Sequence, residues 1–326
     1  MMNFFHNMNL IPKNFIVAGI VDTLKSDPEA GAQKVFDMAD KFVTDESMTG
    51  LLEEIKNAYY TRQNIRMYVK NLIYNTNKSS LNHFLNNLVV KHLLEGIEVR
   101  ETKGKALGKT IPHSFILNVG SAKRQMAEPD IAKIVSQAKE LGIHFIIVAG
   151  EAGSHTGFWS VCEKNSDVQF LVISGIKDFG PQAVARLEGL PNVVPLIIPK
   201  AHEPADVSHL KGAGLLFGVA EQVSRDNFKD ITTDAHVLPY IRQGSRISFY
   251  IASLEDNFTS EEMLRVRHRV DNIRQIRPYV TLHLTSPYCQ FGGGLCFEET
   301  INQRKIKVIF PEVKGELGKK SLKDWF

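Results

Sequence analysis

Between Ile143 and Val223 the apolar residues come in short, uninterrupted runs, IHFIIVAGE, VQFLVISG, VVPLIIPK and LLFGVAEQV, separated by polar or helix-patterned stretches. Runs rich in Val, Ile, Leu and Phe that do not alternate with polar residues predict strands covered by helices on both faces, and hence a parallel sheet. In such a sheet the working residues collect at the carboxyl ends of the strands. Glu151, Ser174, His202 and Glu221 stand there and are the first candidates for chemistry.

The flanking pattern extends this picture in both directions. From Ser26 to about Leu94 apolar residues recur at steps of three and four, as in Val35, Phe36, Met38, Ala39 and Phe42, or Ile65, Tyr68, Val69, Leu72 and Ile73. This spacing predicts helices with no strand among them. Asp27 before Pro28 is a helix start, the carboxylate capping and the ring sitting in the first turn. GIEVRETKGKALGKT, polar and bearing three glycines, reads as a linker. HSFILNVG predicts the first strand of the sheet, a helix follows from Glu128 to Leu141, and Gly142 stops it. RISFYIAS and YVTLHLT predict two later strands, and Thr259 with Glu262 forms a capping box between them. The organisation predicted is a helical amino-terminal domain over residues 1–95, a linker over 96–112, a βα barrel of partial or full TIM type over 113–285, and a carboxyl-terminal extension over 286–326.

Composition narrows the function classes. At 43% hydrophobic and 23% charged, the chain is ordinary globular protein. Its 39 basic and 36 acidic residues leave a formal net charge of +3, which gives no reason to expect nucleic acid as a partner. Three cysteines, an odd number without regular spacing, point to a reducing, cytoplasmic setting. The apolar run Phe15–Val21 is far shorter than the roughly 20 residues that span a bilayer, and no basic segment precedes it, so neither a membrane span nor an export signal is read. A weak contact with a membrane surface through Phe4, Phe5, Met8, Leu10 and Ile11 stays open beside the plainer reading that this segment docks on its own domain.

The order of a helical front end, a strand ending in a Ser-Ala corner, and then KELGIHFIIVAGE, CEKNSDVQFLVISG, NVVPLII and FGVAEQVSRDNF resembles the radical S-adenosylmethionine (SAM) enzymes. It is most similar to a branch with a helical amino-terminal domain that includes hopanoid-type adenosyl transferases. The resemblance spans Ser26 to Pro311. It implies a barrel of the radical SAM type, but the chain departs from the family where its chemistry begins. The family's first loop carries three cysteines, Cys-x3-Cys-x2-Cys, that hold a 4Fe-4S cluster. Here the strand runs into GSAKRQMAEP, with Lys123 where the first cysteine belongs. An ammonium cannot replace a thiolate ligand.

The positions that the resemblance assigns to SAM are also altered. The family's Gly-Gly-Glu-Pro turn reads Ala149-Gly150-Glu151-Ala152, and the ribose positions correspond to Ser174-Gly175 and to Pro199-Lys200-Ala201-His202. Gly150, Glu151 and Ser174 are thus the candidates for a residual SAM site. The expectation is a radical-SAM-like pseudoenzyme without a cluster, with no cofactor expected beyond residual SAM, that serves as an accessory subunit to a cluster-bearing homologue or binds that enzyme's substrate. The alternative is a repurposed, cluster-free enzyme, dependent on SAM or a metal, in which Glu151, His202 and Glu221 act as acid/base groups or ligands.

Other clusters carry less. Glu151, His155, His202, Glu221 and His283 could converge as a metal site, although polar residues collect at strand ends in any barrel. Cys289 and Cys296 bracket a glycine-rich turn and read as reduced thiols rather than a zinc site with His283. The arginines of RVRHRVDNIRQIR fall opposite an apolar stripe and read as a solvated helix face.

Overall fold

The apolar runs do become strands. The structure, a computed structural model, describes residues 13–42, 46–109, 111–112, 114–121, 124–198, 206–231, 238–252, 258–259, 261–262, 264–266, 268–269, 272, 280–284 and 294–298. Its strands are β1 (Ser114–Asn118), the two-residue β2 (Gly120–Ser121) and β3 (Arg124–Gln125), β4 (Phe145–Ala149), β5 (Gln169–Gly175), β6 (Val193–Ile198), β7 (Gly218–Val223), β8 (Ile247–Ala252), β9 (Val280–Leu284) and β10 (Gly294–Glu298). In the main sheet β1 and β4 to β9 lie side by side in chain order, every pairing parallel, while β10 adds antiparallel to the free edge of β1. β2 and β3 form a separate antiparallel hairpin. The sheet curls into an open half-barrel, a partial TIM-like α/β arrangement.

The helices are α1 (Lys13–Ser26), α2 (Pro28–Phe42), α3 (Glu46–Thr61), α4 (Gln63–Asn75), α5 (Lys78–Leu85), α6 (Gly96–Leu107), α7 (Glu128–Glu140), α8 (Thr156–Lys164), α9 (Val184–Gly189), α10 (Ser208–Gly212), α11 (Phe228–Ile231) and α12 (Leu238–Arg242); a π-helical stretch, Asn86–Glu95, joins α5 to α6. Successive strand residues divide between two cores, as a pleated sheet requires. Phe115, Leu117, Ile146, Val148, Phe170 and Val172 pack with the crossover helices α7 and α8. Ile116, Ile147, Leu171, Ile173, Val194 and Leu196 share the other core with α1, α2, α4 and α5, through side chains such as Val21, Phe36, Ile73 and Leu81. Crossover helices form the outer ring of a βα barrel, so the second face is the one that lines the lumen of a closed barrel. Here helices from the front of the chain cover it. Each fully buried side chain on that face contributes roughly 1.5–3 kcal/mol.

Local signals decide the element ends. The Asp27 carboxylate accepts from the backbone N–H groups of Glu29 and Ala30 at 3.0 and 3.1 Å, capping α2. Gly142 takes φ 77° after α7. Thr259 and Glu262 close their capping box reciprocally, the Glu262 carboxylate accepting from the Thr259 N–H at 2.9 Å and the Glu262 N–H donating to the Thr259 hydroxyl at 3.2 Å.

The stretch from Gly96 that reads as a linker in the sequence is helical as far as Leu107, forming α6. Its glycines serve close packing. A Cβ on Gly96 would lie 2.3 Å from the Gly142 carbonyl oxygen, so only glycine lets the helix approach the turn after α7. Buried Arg100 fixes the same contact by donating to the carbonyls of Gly142 and His92. Phe4, Phe5, Met8, Leu10, Ile11, Lys123, His202 and Cys289 lie outside the described residues.

Candidate functional site

Two glycines shape the carboxyl ends of β1 and β4. Gly120 and Gly150 have φ of 89° and 97°, a region that other residues adopt only with strain. The two strand ends stay hydrogen-bonded side by side here: the Val119 N–H donates to the Ala149 carbonyl at 3.0 Å and the Glu151 N–H to the Gly120 carbonyl at 2.9 Å. Asn118, buried, accepts the Gly120 N–H on Oδ1 at 2.9 Å. A Cβ on Gly150 would meet the Gly120 carbonyl oxygen at 2.6 Å and Asn118 Oδ1 at 2.8 Å. Gly150 is therefore demanded by the close approach of the two strand ends. Beyond it the β2–β3 hairpin folds the loop back, with the Met126 N–H donating to the Val119 carbonyl at 3.0 Å.

The next loop is laced in the same manner. The Ser174 hydroxyl, buried at the end of β5, donates to the Asp178 carboxylate and lies 3.5 Å from the Gly150 carbonyl oxygen. Asp178 presses on Gly153, where a Cβ would fall 2.0 Å from the Asp178 Cβ. Trp159 donates from Nε1 to the Gly153 carbonyl at 3.0 Å. Glu151 sits on the rim with an exposed side chain, its carbonyl accepting the Ser154 hydroxyl at 3.0 Å.

His155 has a structural task. Its Nε2 lies 2.6 Å from the Met126 carbonyl oxygen, which can only accept, so the proton is assigned to Nε2. Its Nδ1 then accepts the Phe158 N–H at 3.2 Å and caps α8. With both nitrogens committed in a buried ring, His155 offers no lone pair to a metal.

Glu221 is different. It stands on β7, half-buried, and its Oε2 has no hydrogen-bond partner among the described residues. Burial pushes its carboxyl from the ordinary 4.5 up to about 7. In register it neighbours Tyr250 on β8, which in turn neighbours His283 on β9. Tyr250, almost wholly buried against Val223, Ile231 and Val266, was not a sequence candidate. Only the alternation in RISFYIAS could have pointed to it, since Phe249 and Tyr250 must face opposite ways.

The sequence candidates thus fall into separate places. Gly150, Glu151 and Ser174 meet at the ends of β4 and β5. Glu221 lies two strands and two residues from the level of Ser174, on the order of 12 Å away by sheet spacing. His202 falls outside the described residues. Among the described residues, no group of three or more His, Cys, Asp or Glu is placed to hold a metal ion. Cys162, in α8, is a free, buried thiol whose pKa burial pushes well up. No helix among the described residues is long and apolar enough to cross a membrane. No protein-family model matches this chain, and no curated protein matches it.

Proposed function

We propose that this chain is a non-catalytic binding protein on a radical-SAM-like half-barrel, acting as an accessory subunit to a cluster-bearing homologue. The observation that carries the reading is the use of the strand ends for the chain's own closure. Neither group implied by the resemblance fits the residues present. A 4Fe-4S cluster needs thiolates, and the turn Gly120-Ser121-Ala122-Lys123-Arg124-Gln125 has none. SAM would need the Gly150–Glu151 turn and the Ser174 hydroxyl open to it. Yet the Gly150 approach is filled by the Gly120 carbonyl, the Glu151 N–H is given to that carbonyl, and the Ser174 hydroxyl is given to Asp178. The face that lines a barrel lumen carries helices instead. What such a scaffold keeps is its surface.

The test is to subject the chain to anaerobic iron–sulfur reconstitution, quantify iron and sulfide, titrate it with SAM, and run it with an intact radical SAM homologue from the same genome on size exclusion. Co-elution as a complex, without bound iron or SAM, is the expected result. About four irons per chain with cluster absorption, or stoichiometric SAM binding, overturns it.

One observation favours a second reading. A partly desolvated carboxyl near neutrality with an oxygen unpartnered among the described residues, as in Glu221, is what a general acid/base requires. A cluster-free enzyme would then work at the β7–β8 end of the sheet, and a turnover abolished by Glu221→Gln would establish it.

A further inference from the structure

The forty residues Ile55–Leu94 contain no Asp or Glu, although the chain has 36 of them, and include Lys56, Arg62, Arg66, Lys70, Lys78 and Lys91. Folding sorts these cations. Lys56 pairs with Asp40 and Glu53, Lys78 with Asp22, and Lys91 with Glu95. Arg62, Arg66 and Lys70 are in no ion pair among the described residues. Residues 62, 66 and 70 are spaced at i, i+4 and i+8, so they form one row along α4 and the residue that precedes it. All three are exposed.

The same face carries apolar surface. Met67 and Tyr74 are 46% and 54% exposed, and Lys70 stands 5.9 Å above the Tyr74 ring. Tyr60, 47% exposed at the end of α3, adjoins the row, since Arg66 donates to its carbonyl. Leu72, on the far side of α4, and Ile73, one turn beyond Lys70, are buried in the core and anchor the helix, while Arg62, Arg66, Met67, Lys70 and Tyr74 stay exposed.

We infer that the outer face of α4 docks the protein on an anionic membrane surface. A sheet of lipid phosphates and carboxylates is an acceptor that complements a row of cations with no ion pair among the described residues, guanidinium forks matching phosphate oxygens in pairs. Tyrosine is suited to the same boundary, with its ring among the upper acyl chains and its hydroxyl at the headgroups. Met67 adds a flexible apolar side chain beside it. The contact is peripheral and reversible, and it weakens as salt screens it. It concerns a different surface from the strand ends and does not depend on the accessory-subunit reading.

The experiment is flotation of the full chain with vesicles of phosphatidylcholine alone, and of phosphatidylcholine with phosphatidylserine as about a third of the lipid. Binding is expected only to the anionic vesicles, and only at low salt. Removing one cation costs roughly fivefold in affinity, so R62Q/R66Q/K70Q together lower it on the order of a hundredfold. The wild-type thermal transition should be retained, because these side chains are exposed. Equal binding by the triple variant, or no flotation with anionic vesicles, overturns the proposal. Retention of the chain by polyglutamate or duplex DNA as tightly as by the vesicles also overturns it, in favour of a general polyanion site.

Discussion

Replacing Glu221 by glutamine should make the protein more stable at alkaline pH and change little in acid. Its carboxyl has a folded pKa of about 7 against an ordinary 4.5. Between these values the unfolded chain has released the proton while the folded chain still holds it. Stability must therefore fall as pH rises through that window, and the loss is complete above the folded value. A difference of about 2.5 pKa units corresponds to about 3 kcal/mol at full development. Between pH 5 and pH 8 most of it, about 2–3 kcal/mol, is expressed, since at pH 5 the unfolded carboxyl is already mostly ionised. Glutamine has the same shape and no charge, but its amide brings a donor into a half-buried site, at a cost of about 1 kcal/mol. Urea unfolding of wild type and Glu221→Gln at both pH values, with equal slopes, gives the comparison. The variant should be about 2 kcal/mol more stable at pH 8 and equal or slightly weaker at pH 5. A wild-type-to-variant difference that is the same at both pH values would refute the reasoning, because the carboxyl would then titrate alike in both states.

Three further outcomes follow from the packing. Gly150→Ala forces a Cβ against the Gly120 carbonyl at a positive φ and should lower stability by about 3 kcal/mol, read as a fall in the thermal midpoint. Arg100→Met takes the guanidinium donor from the buried carbonyls of Gly142 and His92 and should lose about 2 kcal/mol by urea titration, whereas a loss near zero would mean that water replaces the guanidinium. Cys162, buried with its thiol pKa raised, should resist iodoacetamide in the native protein and react only as fast as the chain opens, measured by mass spectrometry.

The strand order was legible because each apolar run is continuous and the helical spacing between runs is distinct; β4, β5 and β6 fall within a residue or two of the expected positions. Asp27, Gly142, Thr259 and Glu262 were legible for a similar reason, since caps and stops are local chemistry. The α6 helix was hidden because glycine reads as a breaker, and its service as a close-contact residue against Gly142 depends on a partner more than forty positions away. The pairing of β10 with β1 is likewise non-local. At the strand ends, residue type was informative and commitment was not. Ser174 and His155 look like free chemical groups in the sequence, whereas Asp178 and the Met126 carbonyl occupy them in the fold. Glu221 needed the opposite correction, for nothing in its neighbours along the chain reveals that burial leaves its Oε2 without a partner among the described residues.

The antiparallel strand β10 closes the edge of β1, yet roughly 175 residues separate Asn118 from Gly294. At translation speeds of about 5–20 residues per second, β1 exists for on the order of ten to thirty seconds before its covering strand has been made. Throughout that interval the nascent sheet displays a bare row of backbone donors and acceptors, the kind of edge that recruits a strand from another chain. Crowded polysomes and slow codons between these two strands should therefore lower the yield of folded protein, even where the finished molecule is stable.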